Sequence, residues 1–311
     1  MAVTLIENFR AAFYAPFYAA SALGAFKSEG VEVNIKASAD AAQTMQTLLA
    51  GAGEVAWGGP LRLMLALEKK PARRPIVFCE VVGRDPFFLL GREPNPGFRF
   101  QDLQGKRVAV VTEVPTPWMC QQQDLRGAGI DPRMITLTPE RTMSENMIAL
   151  KASDADVIQV FQPYAAELTQ GGGAYLWYAA ATRGPTSYTT LNTTRDYAQR
   201  HPETLAAMCR AMYRTQKWIA AHDGRALAQA ISSYFPHVPA ETLATCYEHY
   251  RELGVWNSAP LMSRDGFEWL REAGLASGRL RQRFEYDECA DMQFAHQAIR
   301  ENPPALGAAA P

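Results

Sequence analysis

The sequence predicts an α/β fold of two lobes, each a mainly parallel sheet flanked by helices. Three observations point there. Short apolar runs alternate with stretches of helical spacing in a repeated β–α rhythm, the pattern that builds a parallel sheet with covering helices. That rhythm breaks at residues 83–91 and resumes at 101, as expected of a chain leaving one lobe for another. With 311 residues, the chain has the length for two units of ordinary domain size.

Residues 5–35 read as strand, irregular turn, helix, glycine stop and strand. Pro16 suits a first helical turn, Ala20, Leu23 and Phe26 repeat at helical spacing, and Gly30 ends the helix. Val31, Val33 and Ile35 alternate with polar residues, as in a half-buried strand. In open α/β sheets ligands bind where such a crossover helix begins, at the carboxyl end of the strand. A helix start also offers free N–H groups and a positive dipole end. Asn8, Phe9, Arg10, Phe13 and Tyr14 occupy that turn, and the guanidinium fork of Arg10 suits a carboxylate, sulfonate or phosphate. A turn at Ala39 and Asp40 precedes a helix over 41–51; a buried strand then ends in the turn Trp57-Gly58-Gly59. Helix 61–69 and strand 75–82 complete a βαβαβ unit.

Asp85 and Phe87 fall in the first crossing. A strand near 107–111 leads into the loop 112–118, with Thr112, Glu113, Thr116 and Trp118, and then a helix to about 127. Strand 130–137, helix 144–151, a strand-to-helix segment over 156–166 and strand 175–179 follow. The stretch 186–191 is the second crossing. Helices are expected over 204–222, 225–235, 240–253 and 263–273, and 301–311 has the composition of a frayed tail.

Composition excludes several function classes. Hydrophobic residues make up 48% and charged residues 20%, the balance of a globular protein. A net charge of −1 argues against nucleic acid or an anionic membrane as the main partner, and the basic run 69–74 reads as the solvated end of a helix. No stretch approaches a membrane span. The N-terminus carries no basic segment, apolar core and cleavage site. Cys79, Cys120, Cys209, Cys246 and Cys289 are scattered without a C-x-x-C, giving neither a disulfide framework nor a zinc cluster and tilting toward a reducing compartment. Cys246 and His249 share a helical face, but no third ligand is near in sequence, so no metal is expected. No G-x-S-x-G occurs, and Gly171-Gly-Gly173 lacks dinucleotide-loop spacing. Neither a cofactor nor a catalytic set is read.

Three segments carry a resemblance. Asn8-Phe9 followed by Tyr14-Ala15-Pro16, Tyr18 and Ala20, then Gly24-x-Phe26-Lys27-x-Glu29-Gly30-Val31-Glu32-Val33, is similar to the opening of periplasmic solute-binding proteins of the aliphatic-sulfonate, taurine and pyrimidine-precursor type. Asp102-Leu-x-Gly-Lys-Arg-Val-Ala-Val110 resembles their second-lobe entry, and Asp156 with Pro163-Tyr-Ala-Ala166 a strand running into a helix. The likeness covers roughly 3–300. It implies the two-lobed type II periplasmic-binding-protein fold: lobe 1 over 1–84, lobe 2 over 85–186, a return to lobe 1 with C-terminal helices over 187–300, and a flexible tail over 301–311.

The resemblance places ligand contacts at the strand-to-helix turns. It nominates Asp40, Trp57, Gly58 and Gly59 in the first lobe, Thr112, Glu113 and Thr116 in the second-lobe loop, Gln159, Phe161 and Gln162 at the cleft border, and Ser187 and Tyr188 in the hinge strand. Glu113 departs from the family's small hydroxyl residues and would repel an anion if it faced the cleft. Phe9, Phe13, Tyr14, Trp57, Phe87, Trp118, Phe161 and Tyr188 supply flat groups, about half of them expected to face ligand. An aromatic or heteroaromatic solute bearing an acid fits these features; a pyrimidine without one comes next.

Two enzyme branches on the fold lack their residues here. Aryl-sulfinate desulfinases use a cysteine in the first turn, and 8–15 has none. Pyrimidine-precursor synthases carry a lysine and a histidine where 58–67 has only Arg62, and a cysteine-rich run that is missing. A third, decarboxylase-like branch has no short motif to test. The expected function is ligand capture by lobe closure for an ABC importer, with a small molecule and a permease as partners and no nucleic acid, the protein acting as a monomer. Its compartment is the periplasm if a leader has been removed and the cytoplasm otherwise. The alternative is a cytoplasmic enzyme or ligand sensor on the same fold.

Overall fold

Strand β1 (Ala2–Glu7) pairs in parallel with β2 (Glu32–Ala37) and with β3 (Val55–Gly58), setting Leu5 beside Ile35 on one side and Val55 on the other. β4 (Pro75–Val82) is buried at every position, because helices cover both faces of the sheet, and its run of apolar residues reflects that. The chain then crosses and builds a second sheet from β5 (Phe88–Gly91), β6 (Arg107–Ala109), β7 (Thr136–Leu137), β8 (Val157–Val160) and β9 (Tyr175–Ala179). It returns as β10 (Thr189–Thr194), which slots between β3 and β4. The two sheets run β2-β1-β3-β10-β4 and β7-β6-β8-β5-β9. In each, the one strand that arrives from the other lobe is antiparallel to its neighbours: β10 in the first, β5 in the second. The fold is the expected α/β, two-lobed, mainly parallel one.

The computed structural model describes residues 1–38 and 40–307. Ala39 of the expected turn, and 308–311 of the expected tail, lie outside them. The opening helix is shorter than its periodicity implied: it ends at Ala22, Gly24 takes a left-handed φ of +71°, and a single turn, Ala25–Ser28, follows. The expected helix over 41–51 is a tight 3-10 turn leading into Thr44–Leu49. Of the strand expected over 130–137, only Thr136 and Leu137 pair.

The two crossings lie against each other. Thr186 and Ser187 both donate their N–H groups to the carbonyl of Gly83, at 2.7 and 3.2 Å. Beside them Arg183, almost wholly buried, pairs with Asp85 at 3.0 Å and with Asp124 of the helix Thr116–Gly127. Its guanidinium also lies 4.6 Å from the ring of Trp269 in the helix Arg264–Ala276. That helix packs on Thr116–Gly127, so the C-terminal part of the chain touches both lobes. Residues 302–307, expected to fray, are instead held: Lys217 Nζ donates to Asn302 Oδ1 and to the carbonyl of Pro303, and Leu306 joins the core.

Candidate functional site

The carboxyl ends of β1 and β3, the start of β10 and the second-lobe loop around 114–116 converge on one cleft. It is lined by Asn8, Phe9, Phe13, Tyr14, Gly59, Arg62 and Tyr188, by Phe87 at the crossing, and by Val114 and Thr116 from the second lobe. The free space is about 20 Å³, close to what one water molecule needs. Rings account for the narrowness. Phe13 meets Phe161 edge-on at 5.3 Å and Tyr188 at 6.0 Å; Phe87 meets Phe161 at 5.3 Å, and Phe9 meets Tyr14 at 5.3 Å. Such T-shaped pairs are the arrangement that aromatic quadrupoles favour.

One cation stands among these rings. Arg62, in the first turn of the helix Pro60–Glu68, is half-buried, and its side chain makes no hydrogen bond or ion pair among the described residues. Burial pulls its pKa down, opposed by Tyr14, Asp40 and Tyr188. Arginine stays charged even so, so the cleft holds a desolvated cation whose donor fork is uncommitted. Hydroxyl donors flank it. Tyr14 accepts a hydrogen bond from Asn8 Nδ2 at 3.1 Å, which leaves its own proton free, and burial raises its pKa to about 12. Burial likewise raises Tyr188 well above the ordinary value, so both phenols remain donors. Thr44 fixes Asn8 from behind, its hydroxyl donating to Asn8 Oδ1 at 2.9 Å.

Two helices begin at the cleft, Pro60–Glu68 from one lobe and Thr116–Gly127 from the other, and neither has a side-chain cap. Their uncapped N–H groups and positive dipole ends add to Arg62. Gly59 is needed at the turn, because a Cβ there would come within 2.8 Å of the carbonyl oxygen of Tyr188. The arrangement is suited to holding an oxyanion between the lobes. Among the lining residues there is no cysteine, histidine, lysine or carboxylate to act as nucleophile or general base.

Several residues expected at the cleft are engaged elsewhere. Arg10 spends its fork on Glu7, at 2.6 and 2.9 Å, and on the carbonyl of Tyr234 at 2.9 Å. Glu7 is buried at the end of β1 and also accepts from the Tyr18 hydroxyl, so Arg10 neutralises it rather than facing ligand. Trp57 stacks on Phe17 at 4.7 Å in the first-lobe core, and Trp118 packs with the second-lobe core. Gly58 serves the sheet through its carbonyl, which accepts from Thr190 and Asn192. Asp40 is exposed and caps the turn that follows it, accepting from the Ala42 N–H. Asp85 belongs to the Arg183 cluster, and Ser187, at φ +47°, donates its hydroxyl to the Ser263 carbonyl.

In the second lobe, Glu113 accepts from the N–H of Met143 at 2.9 Å, at the start of the helix Met143–Lys151. It is exposed there and does not line the cleft, which removes the expected repulsion. Thr112 donates to the carbonyl of Arg141. Gln159 donates to Gln121, and Gln162 holds the Tyr250 hydroxyl and the Ala166 N–H, bordering a separate apolar hollow beside His249. Phe161 closes on the rings from behind. Arg62 and Val114 line the cleft without having been singled out by sequence reasoning, and of the two only Arg62 carries charge. The signal available was its place, three residues past a Gly-Gly turn at the end of a buried strand.

A family model described as "NMT1/THI5 like" matches residues 12–226. The chain belongs to the NMT1/THI5-like family. A relative in Bacillus subtilis, the "Putative binding protein YtlA", is 25% identical over 302 residues, 96% of this chain and 90% of the relative. Among solved structures, the periplasmic aliphatic sulphonate binding protein SsuA from Escherichia coli aligns with a TM-score of 0.76 at 13% identity, over 92% of this chain and 96% of that one. The desulfurization enzyme DSZB, as a cysteine-to-serine mutant in complex with biphenyl-2-sulfinic acid, aligns with a TM-score of 0.67 at 15% identity, over 96% and 99%. At such identities the likeness to solved structures speaks to the fold. This family member therefore shares its architecture with named binding proteins and with one named enzyme. The five cysteines are all buried, and none lines the cleft.

Proposed function

We propose that this protein is the solute-binding component of an ABC importer and that its ligand is a small aromatic or heteroaromatic acid. The single observation that carries the reading is Arg62: a charged, half-buried group between two lobes, without a partner among the described residues, with phenol donors and two helix starts around it. An anionic head entering the cleft pairs the fork bidentately and offsets the cost of burying it. The rings of Phe9, Phe13, Phe87 and Phe161 part to receive the body of the solute. Since present free space is close to one water, entry requires the lobes to open about the crossings at 83–87 and 184–188, and capture is the closure that follows. The name of the B. subtilis relative supports a binding role, and the sulphonate and sulfinic acid named with the structural relatives support an acidic ligand. In this reading the protein works in the periplasm as a monomer and delivers its ligand to a permease.

The test is thermal unfolding against aromatic carboxylates, sulfonates, sulfinates and pyrimidines, with each hit followed by mass spectrometry. Saturable stabilisation with the ligand recovered intact is the expected result, because a ligand that binds only the native state raises its apparent stability. Consumption of the hit would replace capture with catalysis.

A further inference from the structure

We propose that the first lobe carries a second anion site, at the pole opposite the cleft, built for a phosphate-sized oxyanion. A cavity of about 210 Å³ opens between the residues that precede β3 and the helix Arg195–Arg200. The cleft lies at the other end of the same strand, beyond Gly58. Three groups in this cavity have donor capacity to spare. Arg73 is half-buried and makes no side-chain hydrogen bond or ion pair among the described residues. Arg200 uses only Nε, which donates to the carbonyl of Asp196 at 3.2 Å, and leaves its terminal nitrogens uncommitted. Tyr197 is 8% exposed, and its buried hydroxyl has no partner among the described residues. A buried polar atom left unpaired is destabilising and calls for an explanation; a bound oxyanion supplies one.

The surroundings fit that ligand. Gly51, at φ +80°, lets the Arg73 guanidinium lie over it, where any Cβ would collide with Nη1. The bland alternative, Arg73 capping the helix Thr44–Leu49, lacks the hydrogen bond to a helix carbonyl that it needs. His201 packs its ring on Tyr197 at 4.5 Å between centroids. Glu54 is the one carboxylate lining the cavity among the described residues; it accepts from the Thr4 N–H at 2.7 Å and pairs with neither arginine. Two guanidinium charges thus face one carboxylate, and Lys69, Lys70 and Arg74 stand exposed on the adjoining segment. The basic run 69–74, which composition alone reads as a solvated helix end, becomes the positive approach to this cavity. Paired arginine forks match phosphate geometry better than any other side chain.

The experiment titrates inorganic phosphate into the full-length protein at constant ionic strength, followed by calorimetry and ³¹P NMR line width. Saturable binding is expected, weakened about tenfold or more by Arg73→Gln and by Arg200→Gln, weakened less by Tyr197→Phe, and unchanged by Arg62→Gln. Absence of saturable binding, binding untouched by Arg73→Gln, or loss in Arg62→Gln alone would overturn the proposal, the last by placing the anion in the cleft. A parallel arm uses glycerol phosphate and sedimentation with phosphatidic acid vesicles. Binding of the soluble ester without sedimentation supports a free phosphate; sedimentation lost in Arg73→Gln supports a phosphate presented by lipid.

Discussion

Glu80 gives a quantitative test of how the hinge region is held. It lies in β4, wholly buried, three residues before Gly83 of the first crossing. Its Oε2 accepts from Asn257 Nδ2 at 2.6 Å and from the Ser263 N–H at 3.2 Å, while Oε1 has no partner and no cation pairs with it among the described residues. Burial raises its pKa from 4.5 to about 7, against smaller opposing contributions from Ser187, Asn257 and the Ser263 N–H. In the unfolded chain the carboxyl ionises near 4.5 and in the folded chain near 7. Between those values only the unfolded state gives up the proton, so the site costs stability as pH rises through the window. Below 4.5 it costs nothing; above 7 the full cost is present. At about 1.4 kcal/mol per pH unit, the displacement corresponds to roughly 3 kcal/mol. Glu80→Gln keeps the acceptor oxygen and removes the ionisation. Urea unfolding of both proteins at about pH 4.5, 6 and 8 is expected to show the variant gaining on the wild type by roughly 3 kcal/mol across the series. A difference that stays constant with pH, or runs the other way, would refute the reasoning.

Two further substitutions probe the frame of the cleft. Arg183→Met leaves Asp85 and Asp124 buried without their shared cation; a loss of about 3–5 kcal/mol is expected in urea unfolding, and a loss under about 1 kcal/mol would show that the cluster is dispensable. Gly59→Ala sets a Cβ within 2.8 Å of the Tyr188 carbonyl, which forces the hinge strand and the cleft wall apart; ligand affinity is expected to fall together with the unfolding temperature, and unchanged affinity would place the ligand away from this turn.

The fold was legible because the pattern of apolar runs is a property of each segment. β4, apolar at nearly every position, announces burial on both faces, and the break at 83–91 announces a crossing. Partner choice was not legible. Arg10 and Arg62 both follow the carboxyl end of a buried strand, and the sequence does not state which one meets a carboxylate in space. A clue existed in Glu7, three residues before Arg10, since a carboxylate ending a buried strand requires a cation nearby. Glu113 meets the N–H of Met143, thirty residues on, a pairing set by how the second lobe folds. The family resemblance nominates Trp57 with Gly58 and Gly59 at a strand-to-helix turn, yet strand alternation turns its ring into the core, where it stacks on Phe17.

Calorimetric titration of the best aromatic acid from the ligand panel into the wild type, Arg62→Gln and Arg10→Gln tests most directly whether Arg62 holds the ligand's anionic head. Arg62→Gln is expected to keep its unfolding temperature without ligand and to lose about tenfold or more in affinity, while Arg10→Gln binds as the wild type does. Equal affinity in Arg62→Gln, or loss in Arg10→Gln alone, would contradict that placement.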